Sequence, residues 1–298
     1  MDTPHKGEYA MGRKSNTPKK RAAAILYNAL LIGLFALILF SGWHVVRYYA
    51  DSHRQETRYN ELAALVEAGR QDTSAQDLSQ QPLLPEETFA QDSGTGDKPQ
   101  TQSPEESIIL PEYAPLLLLN PDLVGWIEIE DTQINYPVMQ SPNEPDFYID
   151  HNFDRQYSSR GCIYAEEACD IAAPSDNIIL YGHHMNDGSM FASLMNYSSS
   201  SYLQEHPYIR FDSLTEHHTY EIFAVFVTTA TVTKGFPYHN FIDAQDAEVF
   251  DSFISGCVSR SIHDTGIVPQ FGDKVICLST CEYSQPNGRF VVCAVRID

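Results

Sequence analysis

The stretch Ala22 to Val46 holds no charged side chain apart from the titratable His44, and its centre, Ala29 to Phe40, is apolar around the whole helical circumference. About 20 such residues cross the hydrocarbon layer of a bilayer as a helix, so the pattern predicts a membrane span. The run exceeds the apolar region of a secretory signal, and Ser41-Gly42-Trp43 does not form an Ala-x-Ala-like cleavage site, which predicts a retained anchor. Beyond it, Tyr48 to Ala68 continues with helix-forming residues and places Leu62, Leu65 and Val66 on a partial stripe, with Gly69 as the expected stop. From Arg70 to Ser107 the composition turns to Gln, Ser, Thr, Asp, Glu, Pro and Gly, which predicts a linker. As a flexible coil it would separate its ends by roughly 35 Å.

From Leu110 onward the period changes to that of strands. Trp126–Glu130 alternates, Asp131-Thr132 turns, and Ile134–Met139 follows, with Pro137 favouring an edge or a bulge. Further strands are expected at Gly161–Ala165, Asn177–Tyr181, Tyr208–Phe211, Tyr220–Ala230, Lys274–Cys281 and Arg289–Ile297. Helices are expected at Ser189–Asn196 and at Asp243–Ser259, the latter capped by Asp243 and carrying Val249, Phe250, Phe253, Ile254 and Cys257 at helical spacing. Many short strands with few helices predict a mostly β fold, a closed or nearly closed barrel. The organisation is thus a stub over 1–21, an anchor over 22–46, a helical stalk and linker over 47–109, and a folded domain over 110–298.

Charge gives this organisation an orientation. Residues 1–21 sum to +4 within a chain of net charge −21, leaving −25 for the remainder. Basic residues before the span outnumber Arg47, Arg54 and Arg58 after it, which predicts a cytoplasmic N-terminus and an extracellular domain on a single-pass protein. The acidic domain argues against nucleic acid as a partner, and no Gly-rich phosphate loop is present. An outside location permits disulfides, yet six cysteines in 298 residues are not a disulfide scaffold. If the last two strands form a hairpin centred in their loop, Cys277 faces Cys293 and Cys281 faces Arg289. Cross-strand Cβ separations of roughly 4.5–5.5 Å mostly exceed what a relaxed disulfide prefers, so the first pair reads as two buried thiols.

Two strings offer covalent chemistry: Tyr181-Gly182-His183-His184-Met185, and Leu278-Ser279-Thr280-Cys281 followed by Gly288-Arg289-Phe290-Val291-Val292. A thiol, an imidazole and a guanidinium suffice for acyl transfer when a fold unites them. Cys281 ends an apolar strand just before a polar loop, whereas Cys162, Cys169, Cys257 and Cys293 read as packing residues. Adjacent residues in an extended segment face opposite ways, so only one of His183 and His184 should face the thiol. Arg289 cannot act as a base; it either holds a substrate carbonyl or oxyanion, or forms a surface ion pair with Glu282 or an Asp.

These strings, together with Asp187-Gly188-Ser189-Met190-Phe191, resemble those of class B sortases over roughly Leu110 to Asp298. Where the family has a Thr-Leu-x-Thr-Cys motif, Cys277 stands in the first Thr position. The resemblance implies an eight-stranded barrel with a helix before the Cys strand, and a catalytic set of His183, Cys281 and Arg289. It implies attack by Cys281 on the Thr carbonyl of a sorting motif near a surface protein's C-terminus, protonation of the leaving amine by His183, and a thioester resolved by an amine. That amine would belong to a cell-wall peptide precursor or, in pilus-building members, to a pilin lysine. Tyr181, Ser279 and Glu282 match substrate-contact positions, with Asn143 and Tyr238 in loops of looser correspondence. No cofactor or metal is implied.

Other classes fit less well. Papain-like and caspase-like peptidases use the same groups but carry Cys-Gly-x-Cys and Gln-Ala-Cys strings that are absent here. A zinc site built on Cys277 and Cys281 fails on distance, since four residues of strand separate them by about 13 Å. A non-enzymatic surface adhesin remains as a third reading and predicts no thiol-dependent turnover.

Overall fold

The architecture comes from a computed structural model, which describes residues 18–79, 108–141, 143–231 and 234–298. Most of the predicted stub and the linker segment 80–107 lie outside the described residues. Helix α1 spans Pro18–Ser79 and is followed by α2 (Ala114–Leu119), β1 (Leu123–Glu128), β2 (Asn135–Met139), β3 (Ile163–Ala165) and β4 (Asn177–Tyr181). Then come α3 (Ser200–Glu205), β5 (Tyr208–Ser213), β6 (Thr219–Thr229), α4 (Ala247–Val258), β7 (Val275–Glu282) and β8 (Gly288–Arg296). The eight strands close into a barrel in the order β1-β2-β3-β4-β7-β8-β6-β5, with β5 returning to β1. The expected mostly β fold is therefore observed. The β2–β3 pairing begins only at Val138, so Pro137 lies outside that ladder.

The chain divides into two compact units, residues 1–54 and 55–298. In the first, α1 holds a window long and apolar enough to cross a membrane, none of it buried. In the second, the same helix is part of the barrel's core: Tyr59, Leu62 and Val66 are buried, while Leu65 points outward. The second unit therefore includes the last part of α1 along with the strands.

Gly69 does not end the helix. A Cβ there would lie 2.5 Å from the Glu112 Cα, so the glycine lets the segment before α2 pack against α1. The next residue fastens the contact, with Arg70 donating to Asp212 at 2.9 Å, to Glu128 at 3.1 Å and to the Tyr113 hydroxyl at 3.1 Å. Burial works to raise the Asp212 carboxyl, but hydrogen bonds from His217 and Tyr113 and the charge of Arg70 outweigh it and hold the group below the usual carboxylate range. Sequence composition at Arg70–Ser79 read as linker because these partners lie 40 or more residues away.

Two other expectations are corrected by local hydrogen bonds. Asp246, not Asp243, caps α4 by accepting from the Val249 amide, while Asp243 accepts from the Asp176 amide beside the start of β4. Val249 is exposed, and the buried stripe is Phe250, Phe253, Ile254 and Cys257. The helix expected from Ser189 begins instead as a 3-10 turn at Ala192 and passes into α3. Ser189 is occupied by Asp187, and Met190 has a φ of 57°, outside helical geometry.

The last hairpin has the predicted register, Cys277 opposite Cys293 and Cys281 opposite Arg289. The Arg296 amide donates to the Lys274 carbonyl at 2.8 Å, so residue pair 274/296 is a hydrogen-bonded position. Strict alternation then puts both the Cys277–Cys293 and Cys281–Arg289 pairs at non-hydrogen-bonded positions, where facing side chains approach most closely.

Candidate active site

Residues 277, 279 and 281 share one face of β7 because side chains alternate along a strand. That face is roofed at one end and open at the other. Cys277 and Ser279 are buried, Ser279 under Tyr238, whose hydroxyl lies 2.6 Å from the serine hydroxyl; Cys281 is half-buried. The thiol therefore sits where the roof gives out. Among the described residues no side chain is hydrogen-bonded to it, so its sulfur is available to a substrate. Cys162 and Cys169 are packing residues: burial pushes their thiols up to about 12, whereas a reactive thiol must ionise far more readily.

Strand β4 brings the imidazoles to the same end. It runs parallel to β7 with Tyr181 opposite Ser279, and the Gly182 amide donates to the Ser279 carbonyl at 3.2 Å. His183 follows two residues past this last pair, beyond the end of β4. His184 Nδ1 lies 3.1 Å from the Cys281 carbonyl oxygen, and its ring centroid is 5.3 Å from that of Tyr283. His184 therefore supports the backbone of the nucleophile strand. His183 Nε2 lies 2.6 Å from the Ile149 carbonyl, which as an acceptor holds the proton on that nitrogen and leaves Nδ1 as the free one.

The loop carrying the histidines is fixed by its flanks. A Cβ at Gly182 would fall 2.5 Å from Ile163 Cδ1 and 2.7 Å from the Phe191 ring, so only glycine fits. The Phe191 amide closes the loop on the His183 carbonyl at 3.0 Å. Asp187 accepts from the Ser189 amide and hydroxyl and from the nearly buried Arg160, which also reaches Ser189. Burial works to raise the Asp187 carboxyl, but these bonds hold it low. Sequence reasoning missed Arg160, since the pairing spans 27 residues. Gly182→Ala should overpack this site at a cost of about 1–3 kcal/mol, lowering the Tm by several degrees. An unchanged Tm in thermal denaturation would contradict the packing argument.

Arg289 faces Cys281 across the ladder, and its guanidinium donates to the Gly288 carbonyl at 3.0 Å. Its charge acts on two phenols. Burial raises Tyr238 to about 12 and pushes Tyr164 well up, and in both cases the Arg289 charge opposes the rise. Among the described residues Arg289 makes no ion pair. Glu282, its expected surface partner, accepts instead from the Ser284 amide at 2.7 Å and hydroxyl at 2.8 Å, bracing the β7–β8 loop. The surface ion pair with Glu282 is therefore not what the loop builds.

The expected substrate contacts separate into groups. Ser279 and Tyr238 are both buried and bonded to each other on the face of β7 that carries Cys281. Tyr181 donates to Glu166 at 2.7 Å and lines a cavity of about 110 Å³ with Tyr164, Asp146 and Glu166. Asn143 is exposed in a turn next to Glu144, a lining residue of that cavity. Glu282 is bound into its own loop. Glu166 and Tyr164 went unnoticed in the sequence, where single polar and aromatic residues in a short strand carry no signal.

Residues 127–297 match the sortase domain family. Sortase B of Listeria monocytogenes is 33% identical over 183 residues, 61% of this chain and 72% of that protein. Sortase B of Staphylococcus aureus is 31% identical over 196 residues, 64% of this chain and 77% of that protein. Among solved structures, sortase B from Bacillus anthracis in complex with AAEK1 superposes with a TM-score of 0.64 at 26% identity, covering 84% of this chain and 99% of that one.

Proposed function

The chain belongs to the sortase family as a class B member and is a cysteine transpeptidase of cell-surface proteins, and from that premise we infer that Cys281, His183 and Arg289 carry the reaction. The observation that supports this most is a half-buried thiol facing, across a non-hydrogen-bonded ladder position, a guanidinium that no carboxylate among the described residues has claimed. The Cys281 thiol gives its proton to Nδ1 of His183 and, as the thiolate, attacks the carbonyl of a Thr in a C-terminal sorting motif. Arg289 donates to the oxyanion that forms, and His183 gives its proton to the departing amine. The C–N bond breaks and a thioester on Cys281 remains. A second amine, from a cell-wall peptide precursor or a pilin lysine, then attacks the thioester, forming a new amide and freeing the thiol. Hydrolysis by water is the alternative exit.

Tyr181 and Tyr164, which line one cavity, are proposed to meet the sorting motif. Asn143 is proposed to meet the motif from the adjoining turn. Incubating the enzyme with a peptide library and a small amine tests the reading. Cleavage should follow one residue type, with the amine joined to the new C-terminus; cleavage without joining would make it a thiol peptidase.

The apolar part of α1 supports an anchor with its basic end in the cytoplasm and the barrel outside. Protease added to intact protoplasts should cut within residues 80–107 and give, on a denaturing gel, a barrel fragment that begins there. A barrel protected from the protease would reverse the topology.

A further inference from the structure

We propose that Cys277 and Cys293 are a modification site, joined in the exported protein by a cross-strand disulfide that staples β7 to β8 beneath the Cys281–Arg289 pair. The two sulfurs lie 2.7 Å apart as thiols, only about 0.7 Å beyond a disulfide bond length. Their backbones face each other at a non-hydrogen-bonded ladder position, where Cα separations of about 4.5 Å fall within the range disulfides span. Forming the bond therefore needs side-chain rotation and no change of register. The sequence-based expectation of two separate thiols used an average cross-strand distance; this pair is closer than that average.

The remaining cysteines are engaged elsewhere. Cys162 meets the Tyr59 hydroxyl, Cys169 donates to the Asn177 carbonyl, and Cys281 faces Arg289. The competitor is Cys257 of α4, whose buried thiol is near enough to Cys293 to help raise it. The register favours Cys277, because the ladder fixes its Cα while Cys257 reaches in from a separate element. Cys281 lies about 13 Å along the strand from Cys277, so the bridge leaves the active thiol untouched.

The oxidant required is an external disulfide. One thiolate of the pair attacks it, releasing a thiol and leaving a mixed disulfide; the second thiolate displaces the other half. Two protons and two electrons leave the cysteines, and the external disulfide is reduced to two thiols. Both cysteines are fully buried in the folded barrel, and burial raises both thiols, so the exchange takes place before the hairpin closes into the core. The consequence bears on the reaction: a slip of one residue between β7 and β8 would turn Arg289 away from Cys281, and the staple forbids it.

The test uses the full chain carrying Cys281→Ala, which removes the one other cysteine on the same tryptic peptide. Cells are lysed directly into denaturant containing iodoacetamide, and the protein is purified without reductant and digested with trypsin. Peptides 275–289 and 290–296 should appear as one linked species, lighter by two hydrogens than their sum. Two separately alkylated peptides, or a link from 290–296 to the peptide holding Cys257, would overturn the proposal. Independently, dithiothreitol should lower the Tm of this chain by about 6–12 °C, from the closure of a loop of fifteen intervening residues, and should not lower that of a Cys277→Ser version. An equal response in both would also overturn it; if the serine version does not fold, the peptide map decides alone.

Discussion

Cys281→Ala should leave no measurable transpeptidation, His183→Ala should lose about 10²–10⁴ in kcat/KM, and His184→Ala should keep most of the activity. The asymmetry between the histidines is the informative part. His183 follows the end of β4 and is the imidazole proposed to face the thiol, whereas His184 contacts the backbone carbonyl of Cys281. Removing His184 costs one hydrogen bond, worth about 0.5–1.5 kcal/mol, which should appear as a modest fall in Tm. Removing His183 takes away the group proposed to protonate the leaving amine. The discriminating readout is the burst of cleaved leaving peptide under single-turnover conditions, with thermal denaturation as the folding control. Equal losses of rate at both positions in folded variants would withdraw the assignment.

Arg289→Lys should lose about 10²–10³ in the rate of acylation with little change in Tm. The substitution keeps the charge and gives up the planar array of donors, so it separates the two roles weighed for this residue. A surface ion pair tolerates the exchange, since exposed pairs contribute only about 0–1 kcal/mol. A guanidinium that holds an oxyanion does not tolerate it, because the ammonium cannot place the same donors at the same point. The absence of an ion pair at Arg289 among the described residues, with Glu282 bound to Ser284, supports the second role. Near-normal acylation in a folded Arg289→Lys protein would remove Arg289 from the mechanism.

Much of this site was legible before any coordinates, and the reasons are local. Strand periodicity marked Asn177–Tyr181 to its ends, and the symmetry of the final hairpin located Cys281 opposite Arg289 by counting. Both depend on near neighbours in sequence. What escaped was long-range. Gly69 looked like a helix stop because a glycine's close contact with Glu112 cannot be seen in one sequence, and Arg70 looked like linker because Asp212 and Glu128 are distant along the chain. Arg160, which locks the histidine loop through Asp187 and Ser189, was invisible for the same reason. Glu282 matched a substrate-contact position, yet its strand parity and Ser284 turn it into a brace for the loop.

The central claim, that Cys281 becomes acylated by the substrate, is tested most directly by intact-mass analysis of the enzyme trapped with a cleavable sorting peptide and no amine acceptor. A mass increase equal to the N-terminal part of the peptide, mapped to fragment 275–289 and released by hydroxylamine, is the predicted result. An adduct that persists in Cys281→Ala, or turnover of the peptide with no adduct under single-turnover conditions, would contradict it.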